Sequence, residues 1–183
     1  TNIPNVTDTP YFTSVPYNPI PLDAGTAGVV NGAYALYNGG IQQAFAYLVA
    51  VSPMTQEMAD AEIAKRTISF AAGQNAVVIM DEDLTDLTAI NPGLISMRQT
   101  TADDLLVLAS SAIIGTLADP SNPLSVNGVG VPLADQWVLT PEEQLAIKTA
   151  TDAYNTTIAA VVSSNSNIVL GDINGLLTEV TTG

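Results

Sequence analysis

"NIVLGDINGLL", residues 167–177, decides how the chain is to be read. Ile168-Val169-Leu170 is a short apolar run with the composition of a buried strand. Gly171-Asp172 interrupts it, and from Ile173 to Val180 the apolar residues return at helical spacing. Upstream, Thr140-Pro141-Glu142-Glu143 is a capping box, with Thr as N-cap, Pro in the first turn and Glu three residues on. Ile147, Ala150, Tyr154, Ile158 and Val161 then line one helical face, and Ser163 to Asn167 end the helix. A helix, a short apolar strand and a helix predict part of an α/β layer structure with a largely parallel sheet. Asp172 lies where the strand leaves such a sheet, the edge at which open α/β folds bind ligands. It equally suits a helix cap, its carboxylate accepting from the N–H of Asn174 or Gly175.

Working back along the chain, Val30, Tyr34, Tyr37, Ile41, Phe45 and Leu48 recur at steps of three and four, predicting a helix from about Asp23, its N-cap, to Val51. Gly28, Gly32, Gly39 and Gly40 weaken that helix, and glycines inside a helix indicate close packing against its backbone. Ser52-Pro53 suits the start of a second helix running to about Arg66. Thr67 to Phe70 and Ala76 to Met80 read as strands with Gly73-Gln74-Asn75 between them. Leu105 to Leu108 is a further apolar stretch, and residues 119–132 form a loop rich in Pro, Asn and Gly. Residues 67–139 read as an inserted region of mixed strand and loop. Pro4, Pro10, Pro16, Pro19 and Pro21 exclude helix or central strand at the start of the chain, where Tyr11, Phe12 and Tyr17 are expected as anchors. Tyr37-Asn38 and Ile41 are echoed by Tyr154-Asn155 and Ile158, which reads as two helices each turning a Tyr/Ile pair to a core, or as a duplicated ligand site.

Composition excludes several functions. Eighteen acidic residues oppose Lys65, Arg66, Arg98 and Lys148, for a net charge of −14. Four scattered cations build no phosphate-tracking surface, so neither nucleic acid nor an anionic membrane is an expected partner. The richest apolar stretch, Ile41 to Val51, is too short to span a bilayer and contains Gln42 and Gln43. There is no Cys, hence no disulfide, thiolate zinc site or cysteine nucleophile. Thr1-Asn2-Ile3-Pro4 lacks the basic region and apolar run of a signal peptide, and no initiator Met is present, so a processed chain or a piece of a longer one is expected.

The chain has no histidine. A serine nucleophile is ordinarily activated by an imidazole that takes its proton and returns it to the leaving group. Lys65, Arg66 and Lys148 fall in helical stretches beside charged residues, where a solvated, protonated state is expected and a Ser-Lys dyad is disfavoured. "MDEDLTD", residues 80–86, follows an apolar strand and offers Asp81, Asp83 and Asp86, with Glu82, as oxygen ligands for a hard cation such as calcium. It lacks the Gly and distal Glu of an EF-hand loop, and solvated acids at a strand end, or paired catalytic carboxylates, are the competing readings. "NGVGVP", residues 127–132, lacks the strand-then-helix context of a phosphate cradle. Trp137, beside a Pro/Gly-rich loop, suits stacking on a sugar if exposed, or core packing if not. No cofactor is expected.

Four segments carry a resemblance: "TNIPNVTDTPYFTSVPYN" (1–18), "GQNAVVIMDEDLTDL" (73–87), "NGVGVPLADQWVLTPEE" (127–143) and "TATDAYNTTIAAVV" (149–162). Together, in order and over nearly the whole chain, they resemble exported, lipoprotein-like members of the SGNH (G-D-S-L) hydrolase superfamily of gram-negative bacteria. The resemblance implies a three-layer α/β/α, flavodoxin-like fold, a small ester substrate and a periplasmic or cell-surface location. It also implies that the Gly-Asp-Ser nucleophile block and the Gly and Asn oxyanion-hole blocks precede residue 1, and that the Asp-x-x-His block follows residue 183. No catalytic residue is then carried over to this chain, and Gly171-Asp172-Ile173 matches a strand-to-helix junction rather than the nucleophile block. A segment of such a sheet would leave apolar surface uncovered, so a homo-oligomer, or pairing with the remaining parts of the parent protein, is expected. The alternative from another class is a non-enzymatic exported binding or scaffold module for carbohydrate or a cell-surface partner.

Overall fold

The computed structural model describes residues 15–182, which divide into two units, Val15–Leu139 and residues 140–182. The first is organised by α1 (Ala24–Val51). Asp23 caps it, its carboxylate accepting from the Thr26 N–H and the Thr26 hydroxyl, each at 2.8 Å. These bonds, the amide's first, hold the Asp23 carboxyl below its ordinary range. Ala27, Val30, Tyr34, Tyr37, Ile41, Ala44 and Phe45 form the buried face that the periodicity indicates. The glycines divide. A methyl group at Gly40 would lie 2.7 Å from Leu94 Cδ2, so there the backbone is closely packed, whereas at Gly28, Gly32 and Gly39 it would meet nothing within 4 Å. Gly28→Ala is therefore expected to stabilise the protein by roughly 0.5–1 kcal/mol in urea denaturation. Gly40→Ala loses that gain because Leu94 must move.

The second helix does not start at Ser52-Pro53. Ser52 terminates α1, returning its hydroxyl and N–H to the Leu48 carbonyl at 2.7 and 2.9 Å. Thr55 instead caps α2 (Gln56–Arg66), accepting from the Met58 N–H at 3.2 Å.

The expected strand over Thr67 to Phe70 forms no ladder, because side chains of α1 take its backbone bonds. Asn38 donates to the Ile68 carbonyl at 2.8 Å and accepts from the Ile68 N–H at 3.0 Å. Asn31, seven residues earlier on the helix, does the same with Phe70 at 2.9 and 2.8 Å. The two amides satisfy what a neighbouring strand would have satisfied. Gly73-Gln74-Asn75, expected as a turn, is β2 (Gly73–Asn75), antiparallel to β1 (Ile20–Leu22). Pro21 is tolerated because this sheet has only two strands, both edges.

β3 (Val78–Met80) sits at the centre of the unit, with Val77, Val78 and Ile79 fully buried. On one side it pairs antiparallel with β4 (Met97–Gln99), placing Ile79 opposite Arg98. On the other, Met80 N–H donates to Leu133 at 2.9 Å and Val78 N–H to Gly128 at 2.8 Å. Gly128 has φ +81°, a left-handed conformation glycine adopts without strain, and a side chain on Gly130 would collide with the Leu124 carbonyl. Leu105 to Leu108 splits between β5 (Leu105–Leu106), antiparallel to β6 (Val138–Leu139), and a 3₁₀ turn over Leu108–Ala112.

The described residues thus mix helix and strand, but their ladders are short antiparallel pairs rather than a largely parallel sheet, with single parallel bridges at Ile79–Leu133 and Asn127–Val131. α1 and α2 lie between β1 and β2, yet those strands pair antiparallel, and no α-helix joins β3 to β4 or β5 to β6. Within residues 67–139, Phe70, Val78, Leu94, Met97 and Leu133 share one core with α1.

In the second unit, α3 (Pro141–Ser163) opens with the capping box: Glu143 N–H donates to the Thr140 hydroxyl at 3.3 Å, and Thr140 N–H to the Glu143 carboxylate at 2.7 Å. Ile168 to Leu170 joins no ladder among the described residues. Asp172 caps α4 (Ile173–Thr182), accepting from the Gly175 N–H at 2.9 Å. The Tyr-Asn echo ends at sequence level, since Tyr37 and Ile41 are buried while Tyr154 is exposed. Tyr11 and Phe12 lie outside the described residues. Among the described residues no helix is long and apolar enough to cross a membrane.

Candidate functional site

The acidic run after β3 separates into an inward and an outward part. Asp81 turns inward as β3 ends and is buried. Arg98, on the neighbouring strand β4, donates Nε to Asp81 Oδ2, and gives Nη1 and Nη2 to the two oxygens of Asp104, each at 2.7 Å. The fork is bidentate, and all three side chains are excluded from water. Burial alone would lower the Arg98 pKa, but the hydrogen bonds it donates to Asp104 and then to Asp81 override this and hold the guanidinium above its ordinary value. The remaining oxygen capacity is used by backbone. Asp83 N–H donates to Asp81 at 3.0 Å, and Thr101 N–H donates to Asp104 at 2.7 Å.

In this arrangement Asp81 serves as a counter-ion of Arg98. Asp83 and Asp86 stay exposed. Asp86 folds onto Thr88, accepting from its hydroxyl at 2.7 Å and its N–H at 2.8 Å, and these bonds lower its pKa, the hydroxyl's most. The three candidates are thus not brought together. Glu82 and Asp86 instead line, with Met80, Leu84, Ser96 and Asp135, an open cleft of about 390 Å³. Its rim carries only acidic charge and no nucleophile paired to a base.

Arg66, expected in solvent at the end of α2, is fully buried. Its guanidinium lies 5.9 Å from the Phe45 ring centroid. It donates to the carbonyls of Thr85 at 2.6 Å and Ile95 at 3.0 Å, and to the Tyr37 hydroxyl at 3.3 Å. Three loop and helix segments meet on this one side chain. Tyr37 passes its own proton to Met97 at 2.9 Å, and Tyr34 donates to Val129 at 2.6 Å. Burial pushes the Tyr34 hydroxyl up to about 12, so it is no base near neutral pH. Lys148, by contrast, is exposed and pairs with Asp152 one turn on at 2.7 Å.

Among the described residues no serine hydroxyl is paired to an activating base. Ser121 donates to Asp119 at 2.7 Å, but that bond, with the Ser121 N–H, lowers the Asp119 pKa and weakens it as a base. Ser125 is occupied by the carbonyls of Asp119 and Asn122 at 2.8 and 2.7 Å. The Ser110 hydroxyl is buried with no hydrogen-bond partner among the described residues, its backbone being bonded to Val107, Ile113 and Ile114. Trp137 is half-buried against the core, and its N–H and carbonyl close local backbone bonds to Ala134 at 3.0 Å and Val107 at 3.1 Å. Asp172 is spent as the cap of α4.

The groups that do most in this molecule, Arg66, Arg98 and Asp104, hold it together. Sequence reading had a signal for Arg98 alone, one of only four cations, which stands in "ISMRQ", residues 95–99, beside apolar residues. No family model, curated protein or solved structure matches the chain.

Proposed function

We propose that the chain is a segment of an SGNH-type serine ester hydrolase and is catalytically incompetent alone. Residues 140–182 supply a helix, an apolar connection and a helix to a three-layer α/β/α domain, and residues 15–139 are an insertion with its own core. What supports this reading beyond the resemblance is the uncovered apolar face of the second unit. Tyr154 and Val161, on the stripe of α3 that sequence periodicity marks for a core, are 60% and 52% exposed, and Val180 on α4 is 74% exposed. Between those helices the apolar run Ile168 to Leu170 has no regular structure and joins no ladder among the described residues. Two apolar helix faces flanking an apolar unladdered segment are what an α/β layer presents when its sheet is supplied by other polypeptide.

The chemistry follows from the proton inventory. Ester cleavage through serine needs a group that accepts the hydroxyl proton near neutral pH and returns it to the alcohol that leaves. The chain has no imidazole, its buried arginines are locked in hydrogen bonds, and Lys148 is ion-paired at the surface. The nucleophile and base are therefore contributed by parts of the parent outside these residues, acting on a small ester at a periplasmic or cell-surface location. In the test, the 183-residue chain is expected to hydrolyse p-nitrophenyl butyrate no faster than buffer, and the protein expressed from the full reading frame well above it. Hydrolysis by the isolated chain, or a reading frame without Gly-Asp-Ser upstream and Asp-x-x-His downstream, would overturn the proposal.

A further inference from the structure

α1 carries two stripes at alternating steps of three and four. The inner one, through Val30, Tyr34, Tyr37 and Ile41, is buried within its unit. The outer one runs Gly25, Val29, Gly32, Leu36, Gly39, Gln43, with small and larger residues alternating and glycine recurring every seventh position. Leu36 is 89% exposed and Val29 58%. Beside them the backbone is open at Gly32 and Gly39. The 28-residue helix contains no charged side chain, although the chain as a whole carries a net charge of −14. An exposed apolar stripe on an uncharged helix marks an interface.

We infer that a second copy of this chain covers the stripe, with the two α1 helices packed antiparallel about a two-fold axis. Two observations select a second copy. The stripe is its own complement, because in an antiparallel pair each larger side chain meets a small residue of the other helix. An axis crossing at the level of residue 34 sets Leu36 against Gly32, Val29 against Gly39 and Gln43 against Gly25, all at once. A parallel pair would set glycine beside glycine and Leu36 beside Leu36, leaving the gaps unfilled. Charge gives the second reason, since strongly acidic copies repel through their charged surfaces, and α1 offers an approach that places no charge against charge. The inference is independent of the hydrolase reading.

Sedimentation equilibrium of the 183-residue chain is expected to show a dimer. Leu36→Glu, which puts carboxylates into the seam, and Gly32→Leu, which fills the gap, should each weaken it more than about 100-fold with an unchanged circular dichroism spectrum. Leu176→Glu on α4 should leave it intact. Because the chain has no cysteine, direction is testable too. A mixture of Val29→Cys and Gly39→Cys proteins should oxidise to the mixed disulfide dimer, while Val29→Cys alone should not, its two copies lying about 15 Å apart along the axis. A monomeric chain, a dimer indifferent to both seam substitutions, or efficient cross-linking of Val29→Cys to itself would overturn the inference.

Discussion

Arg98→Ala is expected to lower the stability of the Val15–Leu139 unit by roughly 3–5 kcal/mol, a large share of what holds a domain of this size folded. The cause is the company Arg98 leaves behind. Asp81 and Asp104 are both buried, and without the guanidinium each keeps a carboxylate whose desolvation nothing offsets. The loss should appear as a lower urea midpoint and persist in high salt, because a buried pair is poorly screened. Replacing all three together, Arg98→Met with Asp81→Leu and Asp104→Leu, should cost far less, since it removes the charges along with their pairing. A single Arg98→Ala protein as stable as the unaltered chain would show that the triad does not organise this unit.

Arg66→Met should cost roughly 3 kcal/mol or more, for a different reason. The methionine fills the space beside Phe45, so little packing is lost, but the carbonyls of Thr85 and Ile95 and the hydroxyl of Tyr37 lose a charged donor in a dry environment. Arg66→Lys separates charge from geometry. An ammonium keeps the charge but cannot reach acceptors on three segments as the planar fork does, so most of the loss should remain. Urea denaturation of the two variants checks this, and full recovery by Lys would mean that charge near Phe45, not the fork, matters.

Local signals in the sequence carried through where the deciding chemistry was local. The cap at Asp23, the buried stripe from Val30 to Phe45 and the capping box at Thr140 and Glu143 rest on local spacing, and they appear as read, with Leu48 at the end of the stripe half-buried. Thr67 to Phe70 failed as a strand because its partners are Asn31 and Asn38, residues whose spacing on α1 carries no strand signal. Ile168 to Leu170 has strand composition, yet composition supplies no neighbour to pair with. Asp81 was legible as an acid after an apolar strand, but its role depended on Arg98 and Asp104, brought to it by a ladder register that periodicity does not give. The absence of histidine was fully legible, since a missing residue type needs no fold to read.

The central claim is that no serine of these residues is activated as a nucleophile, and that the attacking hydroxyl belongs to polypeptide outside them. The most direct measurement is intact mass after treatment with a fluorophosphonate probe, made in parallel on the 183-residue chain and on the protein from the full reading frame. The account predicts no mass increase for the former and one adduct for the latter, on the serine of an upstream Gly-Asp-Ser block. An adduct mapped to any serine of the isolated chain would contradict it.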